Sequence, residues 1–318
     1  MWRAALVTSL LCLLVLPRWA VAADDRGWGY LVDKLSNDGL QREEVVRVFA
    51  DPRMPPFTGL GFSAHPPRER ASLYRRFLRA SSIAAARRCR SRHADAFEAA
   101  ARSSTVPASV LTAILFVETG CGRNTGSHPI VYRLARLAMA NEPNNLRRNL
   151  VRYAGDDGTL DPATASQVRA RARYLEDTFY PEVHAAFVVA QRMGVSPLAI
   201  RGSLSGAFGY PQFLPTSYLR YGTDGNQDGQ VSLYDTADAV ASEARYLVAY
   251  GWRSGLSRAQ RRQVIWHYNR SAAYVDTVLT LAARIDGAPA KPGKAKPRAR
   301  TVRRSHRRGP ARHRVKRA

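Results

Sequence analysis

Between residues 23 and 286 apolar side chains recur three and four positions apart, and runs that alternate apolar with polar residues are scarce. This pattern predicts a mostly α-helical body. The spacing places helices over 70–102, 107–119, 129–141, 163–193 with a break near Pro181, 236–250, and 258–285 with an interruption. Segments 51–67, 120–128, 141–162 and 201–235 are rich in Gly, Pro, Asn and Asp, so they read as loops, the places where binding and catalysis concentrate.

Both ends depart from this pattern. Residues 1–22 have the layout of a cleaved export signal: a charge at Arg3, an apolar run from Ala4 to Leu16, and the small-x-small site Ala20-Val21-Ala22. The apolar run is too short to span a bilayer, and no later segment is long and apolar enough, so an exported periplasmic protein without a transmembrane segment is expected. From residue 287 to 318 there are 13 Lys and Arg, four Pro and no acid, which predicts a disordered polycationic tail. Of the net charge of +24, the tail carries +13 and the leader +2, leaving +9 for residues 23–286. The domain reading is therefore a signal peptide over 1–22, a folded body over 23–286 and a tail over 287–318.

At 318 residues and 45% hydrophobic, the chain is excluded from the wholly disordered, collagen-like and disulfide-scaffold classes. Removing Cys12 with the leader leaves Cys89 and Cys121, an even count in a compartment where disulfides persist. A Cys89–Cys121 bridge is one expectation; two small buried thiols are the other.

The segment from Val106 to Gly120 begins with a proline near its first turn and stops at glycine, as a helix does. Its single acid, Glu118, lies seven, four and three residues beyond Leu111, Ile114 and Leu115, on the buried stripe at the C-terminal end. Burial and the negative helix end both disfavour the ionised form, which suits a general acid. A Glu at the edge of the stripe reaching solvent fits the same spacing. A second cluster, Arg201 to Tyr218, mixes glycines with hydroxyls, an amide and aromatics, the chemistry of a sugar cleft.

Together these stretches resemble the lytic murein transglycosylase B family: Val106 to Arg123 matches its helix around the catalytic Glu, Gly202 to Tyr218 its glycine-rich loop, and Tyr268, Asn269, Ser271 and Tyr274 a third signature. The resemblance runs from about Leu73 to Ile285, with order and spacing preserved. It implies a lysozyme-like, mostly α fold of the soluble lytic transglycosylase type, acting on peptidoglycan glycan strands with no cofactor for the chemistry. By this resemblance Glu118 protonates the oxygen joining N-acetylmuramic acid to N-acetylglucosamine. It then takes the proton of the muramyl C6 hydroxyl, which closes on C1 as a 1,6-anhydro ring. The resemblance also places Ser203, Tyr210, Gln212, Asn269 and Tyr274 around the sugars. Cys121, Pro211 and the segment after Asn141 depart from the family pattern.

Asp224, Asn226, Asp228 and Gln230 stand at positions 1, 3, 5 and 7 of an EF-hand-like loop, with Gly229 at 6, Val231 at 8 and Asp235 at 12. A structural calcium ion is expected here; an ordinary Asp/Asn/Gly turn is the alternative. The tail is expected to meet anionic envelope polymers, and the export signal argues against a nucleic-acid partner. Two other functions fit the same chain: a muramidase that uses water, and a non-catalytic peptidoglycan-binding module.

Overall fold

The computed structural model describes residues 25–66 and 69–287. The export segment 1–22 and the tail beyond Gly287 lie outside the described residues. Twelve α-helices occur among the described residues: α1 (Gly29–Asn37), α2 (Arg42–Ala50), α3 (Ala80–Arg92), α4 (Ala94–Ser104), α5 (Ala108–Thr119), α6 (Ile130–Ala138), α7 (Pro143–Arg152), α8 (Pro162–Arg192), α9 (Pro215–Tyr221), α10 (Thr236–Ala249), α11 (Arg258–Tyr268) and α12 (Ala272–Ile285).

Helix α5 is the axis of the main core. Nearly every side chain on it is buried, with α3, α4, α10 and α12 packed around it. Pro107 precedes it, and Gly120 ends it at φ 62°, where the Gly120 and Cys121 N–H groups return to the carbonyls of Phe116 and Leu115. Helix α8 lies along α6 and α9 and closes the other side. A smaller cluster of Phe62, Ala140, Val168, Ala172 and Leu175 joins its N-terminal half to α7 and to the extended segment near residue 60.

Several boundaries differ from the sequence reading. The segment 70–102 opens with two 3-10 turns, Ala71–Leu73 and Arg75–Leu78, and divides at His93, whose φ of −118° leaves the helical region. Helix α8 runs unbroken through Pro181. Asp161 caps its start by accepting from the Thr164 N–H. Beyond the proline, Val183, Ala186 and Phe187 lie in the main core, so tertiary burial on both sides outweighs the hydrogen bond lost at Pro181. Helices α7 and α9 arise inside segments read as loops. Helix α7 has a Pro at its first position, and the Glu142 side chain accepts from the N–H groups of Asn144 and Asn145.

Two short strands, β1 (His128–Pro129) and β2 (Arg201–Gly202), pair antiparallel, with Gly202 opposite His128. Bridges from Gly202 to Phe208 and from Phe208 to Phe213 extend this patch through the glycine-rich loop. The loop after α5 is thereby fastened to the loop before α9. A Cβ at Gly126 would lie 2.1 Å from the Gly202 carbonyl oxygen, so this joint requires glycine.

Candidate active site

Glu118 sits on the last turn of α5, between two hollows. One, of about 440 Å³, is bounded by Arg76, Phe77, Phe116, Arg123 and Asn124. The other, of about 520 Å³, is bounded by Arg123, Asn124, Thr125, His128, Ser203 and Gln212. Glu118 lines both and is, among the described residues, the only acid on either wall.

Its Oε1 accepts a 2.6 Å hydrogen bond from the Tyr274 hydroxyl on α12. Tyr274 is itself 1% exposed, so its ring cannot swing away. The Tyr268 ring lies parallel to it at 6.4 Å, and Tyr74 meets it edge-on at 6.0 Å. The Tyr268 hydroxyl donates to the Pro211 carbonyl at 2.6 Å, which ties this aromatic stack to the glycine-rich loop. Desolvation pushes the Glu118 carboxyl up to about 7; the Tyr274 hydrogen bond pulls it down, and the charge of Glu69 pushes it further up. At neutrality, then, Glu118 exchanges its proton readily, as a group that must serve first as acid and then as base requires.

Gln212 adopts φ 51° and donates its side-chain N–H groups to the carbonyls of Thr125 and Gly209, which fixes it in the wall of the larger hollow. Ser203 lines the same wall, with its Oγ accepting from the Ala207 N–H at 3.2 Å. Tyr210 lines neither of these two hollows and packs against the α5 loop: its carbonyl accepts from the Thr119 hydroxyl, and a Cβ at Gly122 would lie 2.5 Å from its ring. Asn269 ends α11 and lines neither hollow. Cys121 follows this turn at φ 60° and is disulfide-bonded to Cys89 on α3, with Cα atoms 6.5 Å apart. Tyr74, Arg76 and Phe77 fall inside the helix expected over 70–102, whose spacing gives no sign that they border the site. The aromatic-basic run Tyr74-Arg75-Arg76-Phe77 was the available signal.

A family model described as the transglycosylase SLT domain matches residues 24–263, more than half of the chain. The chain belongs to the transglycosylase SLT domain family. The SLT domain here is 32% identical over 161 residues to the membrane-bound lytic murein transglycosylase B of Escherichia coli K12, a match that covers 51% of this chain and 36% of that relative's length. Its fold is similar to the soluble lytic transglycosylase SltB1 of Pseudomonas aeruginosa (TM-score 0.60, 24% identity, 82% of this chain and 99% of that one). It is also similar to the Escherichia coli lytic transglycosylase Slt35 in complex with calcium (TM-score 0.60, 20% identity, 82% and 92%). The described part of the chain thus has the lysozyme-like fold of these enzymes.

Away from the cleft, the EF-hand-like loop of the SLT domain folds on its own oxygens. Asp224 accepts from the N–H groups of Asp228 and Gly229, Asn226 from that of Asp228, and Asp228 from that of Gln230. Asp235, at the end of the loop, caps α10, its Oδ1 accepting from the Ala237 and Asp238 N–H groups. The carboxylate that enters the loop is Asp238, 1% exposed, which accepts from Gly225, Asn226 and Ser232. Among the described residues no group of three His, Cys, Asp or Glu side chains is drawn together as a metal centre. The all-oxygen donor set suits a hard cation such as calcium.

Proposed function

We propose that this protein is a lytic transglycosylase that cleaves the β-1,4 bond between N-acetylmuramic acid and N-acetylglucosamine in peptidoglycan, with Glu118 as acid and then base. One observation carries the reading: a single carboxyl, proton-exchanging near neutrality and gripped by Tyr274, stands between two hollows that among the described residues hold no second acid. Most retaining and inverting hydrolases use a carboxyl pair across the bond, whereas intramolecular attack by the muramyl C6 hydroxyl needs one. Gln212 and Ser203 would position the sugar that lies in the larger hollow, and Tyr274 would orient the acid. Tyr210 would support the α5 loop, and Asn269 would shape the turn that presents Tyr274.

The test is mass spectrometry of the products from purified peptidoglycan. Anhydromuramyl ends are expected; reducing muramic ends would replace transglycosylation by hydrolysis, and intact strands would favour a binding module. The domain reading places this activity in a periplasmic body over 23–286, between a cleaved leader and a basic tail that would hold it near anionic envelope polymers. The mature chain should then begin at Ala23, and an N-terminus at Met1 would refute export by cleavage.

The loop from Asp224 would hold a structural calcium ion through Asp224, Asn226, Asp228, the Gln230 carbonyl and the carboxylates of Asp235 or Asp238. The calcium complex of Slt35, a protein of similar fold, supports this reading. Millimolar calcium, but not magnesium, is expected to raise the melting temperature, and Asp228→Ala to abolish the rise. A melting curve indifferent to calcium would remove the site.

A further inference from the structure

The lining of the smaller hollow comes from two separate parts of the chain besides α5 itself. Gly120, Arg123 and Asn124 belong to the turn that follows Glu118, whereas Arg76, Phe77 and Ser82 belong to the 3-10 turn Arg75–Leu78 and the first turn of α3. The second group is fastened to α3, because the Ser82 hydroxyl donates to the Arg76 carbonyl at 2.7 Å. The first group sits on a strained turn. Gly120, Cys121 and Gly122 adopt φ 62°, 60° and 77° in succession, and Cys121 carries a side chain in a left-handed conformation that favours glycine. The turn's own hydrogen bonds are local: the Gly122 N–H donates to the Thr119 hydroxyl oxygen, the Asn124 N–H to the Thr119 carbonyl and Arg123 Nε to the Gly120 carbonyl. They shape the turn but do not set its distance from Arg76 and Phe77.

The Cys89–Cys121 disulfide supplies that missing link. Cys89 is 5% exposed and lies on α3 seven residues after Ser82, about two helical turns along the same helix. A path through Ser82, α3 and the disulfide therefore joins the two groups of lining residues without passing through α5. We propose that the Cys89–Cys121 bridge positions the substrate-binding wall, holding Arg123 and Asn124 at a fixed separation from Arg76 and Phe77 so that the smaller hollow is formed before the glycan arrives. Without the bridge the turn has to be ordered on binding, and affinity falls. Glu118 and its partner Tyr274 lie on α5 and α12, which the bridge does not join, so the proton-transferring groups stay in place. In its choice of substrate this proposal rests on the functional reading above.

Cys89→Ala removes the bridge and leaves every residue of the turn and of both hollows as it is. Cys121→Gly removes it from the other end and suits φ 60°, so it serves as the comparison where the first variant folds poorly. Both are assayed on soluble peptidoglycan oligomers, with free thiols kept reduced and well below the melting temperature of each variant. KM is expected to rise by about tenfold while kcat stays within about twofold of the bridged wild type. Wild type treated with dithiothreitol, which is oxidised to its cyclic disulfide as the bridge becomes two thiols, should behave as the variants do. A bridge that only stabilises the fold would lower the melting temperature, by roughly 10 °C, and leave KM within about twofold; that result would overturn the positioning role, as would a fall in kcat at constant KM. Binding of the same oligomers to Glu118→Gln, with and without Cys89→Ala, needs no turnover. About tenfold weaker binding without the bridge is expected there, and equal binding would overturn the proposal. Failure of the wild type to release anhydromuramyl ends is a different result, which would overturn the functional reading and leave the bridge to be decided by this binding pair.

Discussion

Replacing Glu118 by Gln is expected to lower kcat/KM on peptidoglycan by at least about 10³-fold, because one side chain supplies both proton transfers. The amide matches the carboxyl in shape and can still accept the Tyr274 hydrogen bond. Its folded state should therefore melt at or slightly above the wild-type temperature, since a desolvated acid has been replaced by a neutral group. The pH profile gives an independent check. Glu118 titrates at about 7 and must enter the reaction protonated. Wild-type kcat/KM should accordingly be level below that pH and fall tenfold per unit above it. An ordinary exposed Glu, already ionised at pH 6, would lose its acid form about 2.5 units earlier. A variant retaining activity within tenfold of wild type, or a wild-type alkaline limb near pH 5, would exclude Glu118 as the acid.

What sequence could show about this site follows from how local each feature is. The burial of Glu118 rests on spacing within one helix, so its place on the stripe with Leu111, Ile114 and Leu115 was legible before any coordinates. The cleft wall was legible in kind, because glycines, hydroxyls and aromatics cluster between Arg201 and Tyr218. Helices α7 and α9 were hidden in it and in the segment before it by Asn, Gly and Pro, residues that serve as readily at helix starts as in loops: Pro143 and Pro215 both occupy first-turn positions. Asp238 illustrates a subtler limit. Counting EF-hand positions selects Asp235, which also caps the helix that begins at Thr236, but it gives no sign that Asp238, one helical turn on, reaches back to the loop as well. Arg76 and Arg123 line the smaller hollow from positions 47 apart in the chain, and no local pattern encodes that proximity.

Glu243 lay on an ordinary amphipathic helix in the sequence, yet its replacement is expected to change stability by more than that of Glu118. It is 0% exposed on α10, and both carboxyl oxygens lack a hydrogen-bond partner among the described residues. Asp238, five residues earlier on the same helix and also buried, is satisfied by three backbone N–H groups. Burial, reinforced by the charge of Glu118, holds the Glu243 proton well above the usual carboxylate range. In the unfolded chain the same group ionises in the ordinary range near 4.5. Above that pH the unfolded state therefore binds fewer protons than the folded one, and stability declines by about 1.4 kcal/mol per unit until the folded group ionises. Glu243→Leu, similar in volume and apolar, should remove both this slope and the cost of an unpaired polar group, raising stability at pH 7 by about 2 kcal/mol or more. Glu243→Gln should remove the slope alone, since a buried amide without partners keeps the polar cost. The gain from Leu should shrink between pH 7 and pH 4.5, whereas the difference between Leu and Gln should not. Denaturant unfolding of the three proteins at those two pH values measures both quantities. A Leu variant less stable than wild type would mean that the carboxyl is hydrogen-bonded in solution, and its burial could then no longer be read as a cost.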